Sequence, residues 1–232
     1  MLNRCAFTLF IVSIAACATT PGAQPQEMSA AQHDAVAANQ ETSAQVHAGR
    51  YNPDASVSPE LCSSEGDCRP WPTNPTAEHL SEAKKDQQMA ADHRAGSKAL
   101  RDAEARACAG LAEADRDTTP FAHREDISSV EPLTVNVSSS KAQFARTQGA
   151  VVTFRAVPGM TAQWLQRIVD CHLARNAVLG HDVPEMAYCP LVPKNVSARV
   201  TATDTGFAVA VRSEDADTAA EILRRARALR ER

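Results

Sequence analysis

Aromatic side chains are scarce in this sequence: Phe, Trp and Tyr make up 4 % of its 232 residues. Stacking platforms for single-stranded nucleic acid are built from those residues, so their scarcity argues against a base-stacking binder. A basic excess is missing too. The formal net charge is −4, which argues against binding a phosphate backbone as the general activity. No period recurs often enough for a solenoid. There is no GxSxG elbow, no Gly-rich phosphate loop and no dinucleotide fingerprint. CxxC, HxxxH and HExxH metal signatures are also absent. The length allows one or two modest domains with a real core.

The first seventeen residues read as an export signal. Arg4 supplies the positive region, and Ala6 to Ala16 form an apolar stretch shorter than the ~20 residues of a membrane span. The stretch ends in Ile14-Ala15-Ala16-Cys17. Those four residues resemble the lipobox of bacterial lipoproteins, an aliphatic residue and two small ones before a cysteine. The resemblance implies lipidation of Cys17 and removal of residues 1–17. Several acyl chains on one residue anchor stably where a single chain is marginal. Ala18 in place of Asp implies, by the same resemblance, the outer membrane facing the periplasm in a Gram-negative host.

Residues 18–27 are small, polar and Pro-containing, a flexible tether. An Ala- and Gln-rich helix is expected over 28–48. Five prolines (Pro53, Pro59, Pro70, Pro72, Pro75) then predict an irregular segment over 49–75. A long helix follows over 76–111, with Thr76 as its N-cap and Ala90, Ala99, Leu100, Ala103, Ala107 and Leu111 as its apolar stripe. The two helices share a faint repeat: Ala31, His33, Ala37, Ala44 and His47 match Ala77, His79, Ala83, Ala90 and His93. An antiparallel pairing of the helices brings His33 to His93 and His47 to His79, either as a metal-binding pair or as solvated histidines with chance matches.

After a linker over 112–131 the character changes. Residues 133–232 carry 13 basic against 9 acidic side chains, whereas 18–132 carry 10 against 19. This asymmetry lets the halves attract, within the limits of salt screening. Leu133–Val137 and Ala150–Val157 read as strands, and Thr161 caps a helix from Ala162 in which Leu165, Ile168, Val169 and His172 share a face. Two more strands follow, Val196–Thr203 and Phe207–Val211, turning at Asp204-Thr205-Gly206. A helix opened by a Thr218/Glu221 capping box closes the chain. The order ββαββα over 132–232 predicts an α+β domain, a four-stranded antiparallel sheet with both helices on one face. It is similar to ferredoxin-like folds, which host many functions. Arg224, Arg225, Arg227, Arg230 and Arg232 on the last helix are either a solvated face or a contact for anionic lipid or peptidoglycan.

Beyond Cys5 and Cys17, the cysteines are Cys62, Cys68, Cys108, Cys171 and Cys189. In an oxidising compartment they predict a Cys62–Cys68 staple and a Cys171–Cys189 tie with Cys108 free, or else Cys108 bonded to Cys171 or Cys189. A soft-metal site for Zn or Cu is the competing reading, from Cys171, His172, His181 and Cys189, with Met186, His123 or Cys108 in reserve. Adjacent Cys171 and His172 diverge by about 100° on a helix, which counts against a catalytic dyad. His123-Arg124-Glu125-Asp126 is a dense polar cluster able to supply acid/base groups. The leading expectation is a lipid-anchored envelope protein, not an enzyme, without a cofactor, in a binding or structural role toward another envelope protein or peptidoglycan. Its rivals are a periplasmic Zn/Cu-binding lipoprotein using the 171–189 set, and a thiol enzyme using Cys108.

Overall fold

Ser29 opens the first helix with a reciprocal cap: its hydroxyl accepts from the Gln32 N–H at 3.1 Å, and the Gln32 side chain accepts from the Ser29 N–H at 2.7 Å. Helix α1 spans Ala30–Arg50 and α2 spans Ala77–Ala107. The computed structural model describes residues 27–231 except 59, 63–65, 67, 71 and 139–142. The signal, Cys17 and nearly all of the tether lie outside the described residues.

The two helices pair antiparallel along a narrow seam. Ala30, His33, Ala37 and Ala44 of α1 are buried against Ala83, Asp86, Ala90 and Ser97 of α2. Alanine at the contact lets helix axes approach to the short end of the usual ~8–10 Å. The expected α2 stripe is thus displaced toward the N-terminal half of the helix, and Ala99 is exposed. Thr76 sits at the cap position without capping; its hydroxyl bonds the Asn52 carbonyl and the Asn74 side chain instead. The connection is less irregular than its prolines predict. Strands β1 (Glu60–Cys62) and β2 (Cys68–Pro70) form a small antiparallel ladder.

A short helix α3 (Glu113–Asp117) and two 3-10 turns lead into the C-terminal domain, whose order is ββαββα as expected. Its elements are β3 (Ile127–Ser138), β4 (Gln143–Arg155), α4 (Ala162–Val178), β5 (Ser197–Thr203), β6 (Gly206–Arg212) and α5 (Ala216–Ala228). The sheet runs β3-β4-β6-β5, antiparallel throughout. Strand β3 starts six residues before the expected Leu133 and tolerates Pro132 because it is an edge strand. Val152, Phe154, Val209 and Val211 project from one face into a core shared with Leu165 and Val169 of α4 and Ile222 and Ala226 of α5. Among the described residues the opposite face carries no helix, so the domain has two layers.

Helix α5 begins earlier than its sequence predicts. Asp215 caps it, accepting from the Thr218 N–H at 2.8 Å. Glu221 makes no capping box; it pairs with Arg224 and Arg225 at 2.6 Å each.

Helix α2 is joined to α4 by a covalent bond. Cys108 and Cys171 form a disulfide across 63 residues, enclosed by Leu111, Ile168 and Trp164. This is the second of the expected pairings and corrects the first: Cys171 is not tied to Cys189, which is a buried free thiol. The partner is decided by α4, which buries Cys171 on the side facing α2. Cys62 lies opposite Cys68 in the backbone register, and Cys68 is disulfide-bonded.

Two outcomes follow from these contacts. Replacing both Cys108 and Cys171 by alanine lowers the unfolding free energy by about 4 kcal/mol in a urea titration, the chain-entropy value for a loop of this size. The Arg224 guanidinium, then Arg225, holds the Glu221 carboxyl down from 4.5 to about 2. A depressed acid stabilises the fold above its unfolded value and loses that contribution as pH falls through the folded one. Glu221→Gln therefore costs about 0.5–1 kcal/mol at pH 7. The cost fades between pH 4.5 and about 2, as denaturant midpoints of the two chains at each pH will show.

Candidate metal centre

Between α3 and β3 the chain is pinned at both ends. Phe121 is fully buried and packs on Phe154 with ring centroids 5.7 Å apart, and Ile127 enters the same core. Pro120 opens one 3-10 turn (Pro120–Ala122), its fixed φ suiting a first helical position. His123, at φ −83° and ψ 70°, bends the chain into the next turn, Arg124–Asp126. The two tight turns gather His123, Glu125 and Asp126, whose ligand atoms all lie within 4.8 Å of one another. Arg124 leaves the group and lies over the Tyr188 ring, 5.3 Å from its centroid. His123 Nδ1 is 3.6 Å from a Glu125 carboxylate oxygen. His123 and Glu125 are exposed and Asp126 is half-buried.

The group adjoins a cavity of about 500 Å³. His123, Asp126, Asp115 and Thr118 give it a polar side, while Phe154, Val157, Met160, Trp164, Leu165 and Ile168 form its apolar wall. This size and this mix of an apolar wall with a few converging polar groups are those of small-molecule sites. His123 and Asp126 on this rim, with Glu125 beside them, can hold an ion with coordination positions left open toward the cavity.

The expected soft-metal set does not assemble. Cys171 is consumed by its disulfide. His172 is 1 % exposed, and among the described residues neither ring nitrogen has a hydrogen-bond partner. Burial lowers its pKa, with the nearby Thr118 and Asp115 carbonyls opposing only partly, so the ring is neutral. His181 Nδ1 is engaged by the Val192 carbonyl at 2.8 Å, and burial lowers its pKa too. Cys189 is sealed beside Thr119, Sγ to Oγ1 3.5 Å. Burial raises its thiol, outweighing the opposing Thr119 hydroxyl. Cys108, in the disulfide, is no free nucleophile, which removes the thiol enzyme in its expected form.

The helix histidines do meet as the repeat predicts. Nδ1 of His33 is 3.0 Å from Nδ1 of His93, and Nδ1 of His47 is 3.3 Å from Nδ1 of His79. In each pair one ring donates and the other accepts, the tautomers being complementary.

Comparison with protein-family models, curated proteins and solved structures finds no match for this chain. The donor group of His123, Glu125 and Asp126 corrects three expectations together. A cofactor-free chain, a role confined to binding or structure, and the exclusion of an enzyme all assumed that no metal-ligating set exists. The polar cluster was visible as residues, but its convergence was not. Two successive 3-10 turns create it, and helical or strand periodicity does not report them.

The sealed position of Cys189 is directly measurable. Iodoacetamide at pH 8 leaves it unmodified in the native chain and labels it in denaturant. Native labelling at a free-thiol rate contradicts the burial.

Proposed function

We propose that this chain is a metal-binding protein that holds its ion through His123, Glu125 and Asp126 and presents it to a ligand in the adjoining cavity. The observation carrying this reading is a three-donor set of which two members, His123 and Asp126, line the polar side of an apolar, ligand-sized pocket. One imidazole and two carboxylates favour Zn(II) or Cu(II) over Cu(I), which selects sulfur ligands. Three protein donors match catalytic rather than structural zinc, whose fourth position takes water or substrate. When bound there, the ion would supply Lewis acidity toward a ligand oxygen or an acidified water. The cavity wall asks for a ligand with an apolar body and one polar head, held against Trp164 and Met160. The lipobox resemblance around Cys17 supports a location at the bacterial envelope through an N-terminal lipid. Among the described residues no helix is long and apolar enough to cross a membrane.

Trp164, in the cavity wall, provides the readout. In a Trp71→Phe chain, Cu(II) quenches Trp164 fluorescence to saturation, and Zn(II) competes. His123→Ala with Asp126→Asn weakens this binding by more than about tenfold, since loss even of outer-shell partners costs ~10–100-fold. His79→Gln with His93→Gln leaves it unchanged. Equal affinity in the His123/Asp126 variant overturns the reading.

A further inference from the structure

The α1–α2 seam carries a second arrangement of nitrogen donors, independent of the His123 group. We infer that the hairpin holds two bis-histidine sites for a divalent late transition ion, Zn(II) or Cu(II). One is formed by His33 with His93 and the other by His47 with His79. The donor spacing is the first argument. Two imidazole nitrogens at 2.0–2.1 Å from a tetrahedral ion sit about 3.3 Å apart. The Nδ1 atoms are 3.0 Å and 3.3 Å apart, before any ion draws them. Linear or trans ligation needs about 4 Å and fits less well.

The seam is built around these rings. A Cβ on Gly96 would lie 2.8 Å from Cε1 and 3.0 Å from Nδ1 of His33, so any other residue there displaces the ring from its partner. Alanines Ala37, Ala44, Ala83 and Ala90 fill the rest of the contact and bring the two backbones close enough for imidazoles to meet. The arrangement also occurs twice, at both ends of one hairpin, related by the sequence offset that repeats the histidines. His47, His79 and His93 are only half-buried, so water can complete each coordination sphere.

Neighbouring charge does not oppose a cation. Arg94 is clamped by the Glu41 carboxylate at 2.7 and 2.6 Å, and Arg101 is paired with Asp34. On binding, the ring that donates through Nδ1 moves its proton to Nε2, so both Nδ1 lone pairs face the ion, both imidazoles stay neutral and no net proton is released. Because one histidine comes from each helix, an ion in either site cross-links α1 to α2. It binds the folded hairpin in preference to the unfolded chain and stabilises it.

Equilibrium dialysis of the full-length, untagged chain against Zn(II) tests this inference, in a His123→Ala/Asp126→Asn background that removes the other group. Two ions per chain are expected, with a zinc-dependent rise in Tm. Adding His93→Gln removes one ion, and adding His79→Gln as well removes both and the Tm shift. Each loss weakens its site on the order of a hundredfold, because the second imidazole acts at high effective concentration. Fewer than two ions in that background, or binding that survives both substitutions, overturns the inference. A measurement on the unsubstituted chain guards against misfolded variants. Zinc should protect the half-buried His47, His79 and His93 from diethyl pyrocarbonate, and unaltered modification overturns the inference equally. The Trp164 quenching does not pass through the hairpin histidines, so the two readings fail separately.

Discussion

The place where α2 ends governs the rest of the molecule. Cys108 is bonded there to Cys171 in the middle of α4, and Leu111, Ile168 and Trp164 close around the bond. From that point the chain cannot wander. Arg167 of α4 donates to the Ala109 carbonyl, and Arg175 reaches the Arg116 carbonyl at 3.0 Å and the Asp117 carboxylate at 2.7 Å. Residues 109–117 are thereby laid along α4, which delivers Phe121 into the core and leaves His123 and Asp126 at the cavity edge with Glu125 beside them. Trp164 belongs both to the cluster around the disulfide and to the cavity wall. The joint between the two halves is therefore also part of the pocket.

Much of this was legible before the structure. The ββαββα order, the helix starting at Ala162 and the β5–β6 turn follow from periodicity and turn chemistry, both local signals. The His33/His93 and His47/His79 meetings were legible for a different reason, because a repeat plus an antiparallel hairpin fixes which rows oppose. What failed was non-local or irregular. The choice of Cys108 over Cys189 as the partner of Cys171 depends on which face of α4 is buried against α2. The two 3-10 turns around His123 have no period long enough to read. Glu221 shows a third kind of failure: a valid capping pattern lost to Asp215, three residues upstream of Thr218, with the carboxylate taken by arginines instead.

The two donor arrangements differ in what holds them. The His123 group sits on a short irregular segment made rigid by its anchors, Phe121 and Ile127, so its precision is borrowed from the sheet core. The helix pairs are held by their own backbones, at a seam whose alanines bury little apolar area. Helices of that kind depend on tertiary contacts more than on propensity. Imidazole pairs, with the Arg94–Glu41 and Arg101–Asp34 ion pairs, add polar contacts across a seam whose alanines alone bury little.

The sealed thiol of Cys189 has a bearing on the order of events during folding. In an unfolded chain Cys171 meets Cys189 more readily than Cys108, because the shorter loop closes at a cost lower by about 1 kcal/mol. Oxidation before collapse thus favours the wrong bond, one that would draw Cys189 out of the position it takes beside Thr119. In the folded chain Cys189 is buried in the same core as Leu165, Val169 and Leu191, out of reach of Cys171. The sheet and α4 thus favour the native pairing by withdrawing Cys189 from competition once the core is closed.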